Sequence, residues 1–161
     1  MDQSKLEKEF ESIITEYGAV ISKICYYFSF DSEDFKDLRQ EVLVNIWKGL
    51  QNFRNESKLS TWVYRICYNS CISFHRKERK FNKISTDNIL NFPADTSPSR
   101  LEEFEIMHSL IRKLPYADRV IILMWLDDMA YDEIAFLTGM NRNTIATRLK
   151  RIKEKLIKMN S

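Results

Sequence analysis

The sequence predicts an all-α protein of two small helical domains joined by a flexible linker, and three observations carry that expectation. Gly and Pro number 3 each in 161 residues, too few to turn the many corners of a β-sandwich or barrel. Apolar residues recur three or four positions apart along most of the chain, the spacing of helices with one buried face. Between residues 82 and 100 that period dissolves into Asn, Asp, Ser, Thr and Pro, the composition of a tether. The 44% hydrophobic content supplies a core and excludes wholesale disorder.

Each helix is justified by its own stripe. Leu6, Phe10, Ile13, Ile14, Tyr17, Ile21, Ile24 and Phe28 mark a first helix, closed by Phe30-Asp31-Ser32, short polar residues suited to capping. Phe35, Leu38, Val42, Ile46 and Leu50 mark a second, widened by Leu43 and Trp47. Arg54-Asn55-Glu56-Ser57-Lys58 reads as a loop. A third helix runs from about 60 to 80, with Trp62, Ile66, Cys67, Ser70, Cys71 and Phe74 facing inward, and ends in the basic cluster Arg76-Lys77-Glu78-Arg79-Lys80. After the linker, residues 101–114 are helical until Pro115, which opens the next helix at its first position. A short apolar helix (116–126), another over 131–138, a turn at Thr138-Gly139-Met140-Asn141 and a last helix to about 159 complete the chain. The domains expected are 1–81 and 101–161, with 82–100 between them.

Net charge is only +2, but it conceals alternation. Residues 1–41 carry 5 basic and 10 acidic side chains, and residues 42–83 carry 9 and 2. Residues 84–141 carry 4 and 10, and residues 142–161 carry 7 and 1. Two basic patches, each after an acidic stretch, suit a protein that meets polyanion at two places and another partner elsewhere. Charge runs also arise as plain solvated helix faces, so the pattern alone leaves both readings open. The first residues hold no apolar signal core, and no apolar run approaches the ~20 residues of a membrane span. Cys25, Cys67 and Cys71 are an odd number in a chain large enough to do without disulfides. A reduced, cytoplasmic protein is expected, without membrane insertion and monomeric when free.

The last two helices form a helix-turn-helix candidate. At 100° per residue, Ile145, Leu149, Ile152, Leu156 and Met159 fall within about 40° of one line, the buried face. Asn143, Thr147, Lys150, Arg151, Glu154 and Lys158 face the other way. Donors and a small hydroxyl beside cations are what base edges and phosphates of a major groove require. Gly139 suits the sharp turn, because it takes positive φ without steric cost. Ala135, one turn earlier, leaves room for the second helix to cross.

The stretch Asp37-Leu38-Arg39-Gln40-Glu41 through Asn45-Ile46-Trp47, followed by Phe53 to Ser60 and Thr61-Trp62-Val63-Tyr64-Arg65, resembles the second conserved region of bacterial RNA polymerase sigma factors. The match is to the extracytoplasmic-function (ECF) subfamily of the sigma-70 family. Leu114-Pro115, Arg119, Tyr131 to Ala135 and Asn143 to Arg151 resemble that subfamily's fourth region. Both motifs occur in the right order, over about residues 6–80 and 101–158.

The resemblance implies a dissociable specificity subunit that is not an enzyme, binds core RNA polymerase, directs it to promoters and helps open the DNA. It implies Asp37, Gln40, Glu41 and Asn45 as contacts to the clamp coiled coil of the largest catalytic subunit. It places capture of a base flipped from the melted non-template strand of the minus-ten element on the loop from Phe53 to Ser60. Phe53, Arg54, Asn55, Ser57 and Lys58 there, with Tyr64, Arg65, Asn69, Arg76 and Lys77, are the minus-ten candidates. Stacking, edge hydrogen bonds and a cationic groove would offset the few kcal/mol that base extrusion costs. Tyr68 and Phe74 add aromatic surface, Phe53 fits core or strand, and Trp62 reads as core rather than platform.

In the fourth region the resemblance assigns minus-thirty-five duplex contacts to Arg142, Asn143, Thr147, Arg148, Lys150 and Arg151. Arg148 sits at the edge of the apolar face, so a phosphate contact or a pair within the domain is expected. Ala146 stands where a basic residue is common, and Ala130 where Ser or Thr often caps the first motif helix. The family further implies an anti-sigma factor, often membrane-linked, wedged between the domains, and a linker that threads toward the active-site cleft. Asp87 and Asp95 would mimic transcript charge there.

Rival readings are weaker. Cys67, Cys71 and His75 share a helical stripe, with Cys25 a candidate neighbour, but the short-spaced zinc pattern is missing and buried thiols pack as small apolar groups. No metal or other cofactor is expected. His75 and His108 are isolated from any nucleophile set, and no glycine-rich phosphate loop occurs. A repressor or activator that binds duplex alone would need a dimer surface, and no such helix is evident.

Overall fold

The computed structural model describes residues 2–81 and 98–161. Seven helices are described: α1 (Gln3–Phe28), α2 (Ser32–Leu50), α3 (Leu59–Phe81), α4 (Pro98–Arg112), α5 (Tyr116–Leu126), α6 (Tyr131–Thr138) and α7 (Arg142–Asn160). They fall into two compact units, α1–α3 and α4–α7. The all-α expectation is met among the described residues. Most of the linker, with Asp87 and Asp95, lies outside them. α4 begins at Pro98, earlier than the 101 expected, because a proline at the first helical position lacks only an N–H that has no helical partner there.

In the first unit all three helices pack on one another. α2 buries Leu38, Val42, Ile46 and Leu50, the stripe expected; Phe35 reaches only half burial. Asp31 caps α2, its carboxylate accepting from the Asp34 N–H at 2.9 Å. α1 departs from a one-faced helix at its end, where Ile24, Cys25, Tyr26, Tyr27, Phe28 and the following Ser29 are all buried. The Ser29 hydroxyl donates to the Cys25 carbonyl, satisfying a polar group in that apolar setting. The Phe28 and Tyr68 rings meet edge to face at 6.0 Å, so Tyr68 belongs to the core and not to the strand-facing aromatic surface. Val63, absent from the expected inward set, is also fully buried.

In the second unit α7 packs on α4, α5 and α6. α5 buries Val120 to Met124 without a gap, as a short helix enclosed by neighbours does. Ile145, Leu149 and Ile152 fill the α7 side of this core, while Leu156 and Met159 are only half-buried toward the helix end. Gly139 ends α6 with φ +75°, and its N–H donates to the Ala135 carbonyl at 2.9 Å. Asn141 opens α7 by accepting from the Thr144 N–H at 2.8 Å. Ala130 precedes α6 without a side-chain cap, as expected.

His108 of α4 is buried beside Phe104, with ring centroids 6.1 Å apart. Burial, followed by the nearby Arg112 and Arg119 charges, lowers its pKa from the usual 6.5 to about 3.

Two outcomes follow from these features. A Cβ at Gly139 meets nothing within 4 Å, so Gly139→Ala isolates backbone strain and should cost about 1–2 kcal/mol. Thermal melting should show the second unit's transition falling by roughly 4–8 °C per kcal/mol. His108 must gain its proton at a lower pH in the folded state than in the unfolded chain. Stability is therefore complete above about pH 6.5 and declines as pH falls toward 3. Melts at pH 7 and pH 5 should show a larger loss for the native chain than for His108→Gln.

Candidate polymerase and nucleic-acid interfaces

The four α2 candidates do not share one environment. Asp37 and Gln40 are exposed on the side of α2 turned away from the core. Glu41 is half-buried and pairs with Lys77 of α3, with Nζ 3.3 Å from Oε1. Asn45 donates through Nδ2 to the Ser70 hydroxyl at 2.9 Å. Glu41 and Asn45, one turn apart, thus flank the buried stripe on the side that faces α3. Two proposed polymerase contacts are engaged inside their own domain, and so is Lys77, assigned to DNA. Helical spacing places all four on the polar side of α2 but cannot say which flank a neighbouring helix covers.

The minus-ten candidates also separate. In the loop, Asn55 takes φ +58°, a left-handed turn that Asn tolerates, and Arg54, Asn55 and Lys58 are exposed. Ser57 is half-buried. Phe53 is half-buried with its ring 4.9 Å from Trp62, which ties the loop to the start of α3. Trp62 in turn lies over Gly49, where a Cβ would stand 3.0 Å from the ring. Along α3, Arg65, Asn69 and Arg76 fall on one outward stripe, with Asn69 and Arg76 exposed and Arg65 half-buried. Tyr64 sits elsewhere, half-buried and stacked on Tyr68 at 6.4 Å. One position from Arg65 along the helix is a 100° turn, so Tyr64 lies off that stripe.

The α7 candidates hold together better. Asn143, Thr147, Lys150 and Arg151 are all exposed opposite the buried Ile145, Leu149 and Ile152. Arg142 is exposed, with Nε 3.7 Å from Oδ1 of Asp132 at the start of α6. Arg148 turns back toward α5, with Nη1 3.9 Å from Oδ1 of Asp118 and 3.9 Å from the Met140 sulfur. Of its two expected roles, the structure displays the pair within the domain.

Arg119 received no role from the sequence, and it is the charged residue most deeply built into this unit. Buried in α5, it donates to the carbonyls of Arg112 and Leu114 at 2.6 and 3.0 Å, the groups that the end of α4 leaves over. Its guanidinium also lies 4.7 Å from the Tyr116 ring centroid. The motif Leu114-Pro115 with Arg119 marked the position, but only the folded joint shows its work.

The thiols form a packing cluster. Cys25, Cys67 and Cys71 are free and buried. Burial, then neighbouring Cys25, pushes the Cys67 thiol far up; burial and a hydrogen bond with Cys25 do the same for Cys71. His75 turns toward the Phe30 ring, 6.2 Å away. Among the described residues no group of three or more His, Cys, Asp or Glu side chains is placed to hold a metal ion.

Two family models match this chain in order, Sigma-70 region 2 over residues 13–81 and Sigma-70 region 4 over residues 104–156. The chain belongs to the sigma-70 family. Its relatives place it in the ECF group. It is 28% identical to the ECF RNA polymerase sigma factor SigW of Bacillus subtilis, over 92% of this chain and 87% of the relative. It is 27% identical to the RNA polymerase sigma factor SigV of the same organism, over 86% and 82%. The fold is similar to that of the sigma factor RpoE of Bartonella quintana, solved in complex with the anti-sigma factor NepR. That likeness has a TM-score of 0.75 and 21% identity over 92% of this chain and 94% of that one. The chain is thus a promoter-specific transcription initiation factor, and binding core polymerase and melting promoter DNA are general properties of such factors. Among the described residues no helix is long and apolar enough to cross a membrane.

Proposed function

We propose that this sigma factor divides its work among three outward helix surfaces, has no active site of its own and acts in the cytoplasm with the polymerase. The exposed side of α2, at Asp37 and Gln40, docks on the clamp coiled coil of core polymerase. Glu41 and Asn45 support that helix from the α3 side. The loop residues Phe53, Arg54, Asn55, Ser57 and Lys58 meet the minus-ten element, with Arg65, Asn69 and Arg76 of α3 tracking the melted strand. Tyr64 and Lys77 contribute from its margins. Asn143, Thr147, Lys150 and Arg151 of α7 read the minus-thirty-five duplex, with Arg142 and Arg148 at the phosphate edges. Residues 1–81 form the docking and melting domain, 82–100 the linker and 101–161 the upstream-reading domain. By likeness to RpoE, described with its anti-sigma factor, we further infer an anti-sigma partner for this chain.

The observation that carries this reading is the division of α7, where every assigned base-reading side chain is exposed while Ile145, Leu149 and Ile152 opposite them are buried. A face so arranged reads DNA only as well as its domain holds it, and one helix-turn-helix supplies few base contacts. Specific initiation should therefore require core enzyme.

The test uses promoter fragments, core polymerase and three chains. The native chain should bind the fragments weakly by itself and open them with core enzyme. Asp37→Lys with Gln40→Lys should lose core association while keeping its melting temperature, since both side chains are exposed. Lys150→Ala with Arg151→Ala should bind core normally and lose initiation about 10- to 100-fold at promoters that depend on the upstream element. Tight operator-like binding by the native chain alone would overturn the reading.

A further inference from the structure

The Glu41–Lys77 pair joins two surfaces that the proposed function keeps apart. Glu41 stands on α2 one turn after Asp37, and Lys77 stands on α3 next to the exposed Arg76. The Lys77 ammonium lies 3.3 Å from Glu41 Oε1, across the seam between the two helices. The side chains are 66% and 27% exposed, so a second charged group can approach either one. Solvated pairs of this kind favour the closed arrangement by no more than about fivefold, and a better-placed competitor opens them. Asn45 and Ser70, hydrogen-bonded at 2.9 Å further along the seam, hold the helices in register when the ion pair parts.

Each end of the pair has a competitor. Positions 37 and 41 are helical neighbours about 5–6 Å apart, so a cation drawn to the exposed Asp37 also meets the Glu41 carboxylate. At the other end, a phosphate backbone that follows Asn69 and Arg76 along α3 meets Lys77, whose flexible stem lets the ammonium turn outward. A cation on Glu41 releases Lys77, and a phosphate on Lys77 releases Glu41. Linkage makes the two events assist each other by the same factor.

We propose that the Glu41–Lys77 pair is an autoinhibitory latch, closed in the free chain and opened by core polymerase, that withholds Lys77 from the nucleic-acid backbone until docking. This rests on the reading of α2 as the docking helix and of Lys77 as a strand contact. The two states differ by one ion pair, while the buried stripe between α2 and α3 stays as it is. In the free chain the Lys77 charge is neutralised in place; in the holoenzyme it adds one phosphate contact.

The test compares the full-length native chain, Glu41→Gln, Lys77→Ala and the double variant. Each is titrated with a single-stranded oligonucleotide across a salt series, free and with saturating core polymerase, and each free chain is melted. Glu41→Gln keeps the shape of the side chain and removes its charge. It should raise the free chain's affinity for the oligonucleotide about 2- to 5-fold and steepen the salt slope by about 0.7, the mark of one more phosphate contact. In the Lys77→Ala background the same change should have no effect, which separates release of Lys77 from a general loss of negative charge. With core polymerase bound, Glu41→Gln should match the native chain, because the latch is already open. If Glu41→Gln fails to fold, Glu41→Asp, one methylene too short for the pair, supplies the readout in the same direction. Three results overturn the latch: unchanged free-chain affinity in Glu41→Gln, an equal gain in the Lys77→Ala background, or a gain that persists with core polymerase. If Lys77→Ala leaves oligonucleotide binding by the holoenzyme unchanged, the strand reading for Lys77 falls, and the latch with it.

Discussion

The first unit depends on how closely α2 and α3 approach. At Gly49 an added Cβ would stand 3.0 Å from the Trp62 ring, tighter than ordinary contact, so glycine lets the ring seat without a shift. Asn45 and Ser70 meet further along the seam, then Glu41 and Lys77, as expected for two antiparallel helices. The Glu41–Lys77 pair is largely solvated, with Lys77 66% exposed, and pairs of that kind contribute about 0–1 kcal/mol. The Asn45–Ser70 hydrogen bond contributes about 1 kcal/mol. Burial of Leu38, Val42, Ile46, Val63, Cys67 and Cys71 therefore supplies most of the adhesion, and the polar contacts fix the register. Under the proposed function, in which the far side of α2 meets the polymerase and the far side of α3 the melted strand, this seam would set the angle between docking and opening.

The second unit solves a comparable problem with a buried cation. The end of α4 leaves carbonyls without helical partners, and its negative dipole end attracts positive charge. Arg119 answers both from the following helix, which fixes the short joint at Pro115. Its charge also helps to keep His108 neutral, so the joint combines one buried ion with one buried uncharged ring. On that base, Gly139 and Asn141 set the exit from α6 and the entry into α7. A recognition surface needs its side chains held in one geometry, and here every component of the turn is anchored by a backbone or capping hydrogen bond.

Much of the architecture was legible because helical periodicity is a local property. The stripes at 38, 42, 46 and 50 and at 145, 149 and 152 are buried as their spacing implies, and the outward residues of α7 are exposed without exception. The misplacements share one cause. Tyr68 and Val63 lie near the margins of a stripe, where burial depends on which neighbour arrives from the side. Ile24 to Phe28 are all buried in a unit where both α2 and α3 pack on α1, a result that no single-helix pattern encodes.

By itself the sequence determined the type and order of the described elements, the interrupted period between two helical sets, the capping segment at Asp31, the turn around Gly139, and the motifs that place the chain in its family. These depend on spacing along one chain and on the conformational preferences of single residues. Only the tertiary structure decided which polar residues remain available to a partner. It turned Glu41 and Asn45 toward α3 and Arg148 toward Asp118, and sank Arg119 into a helix joint. Each of those outcomes depends on the approach of a second helix, whose direction is fixed by packing of the whole unit and written in no local stretch of sequence.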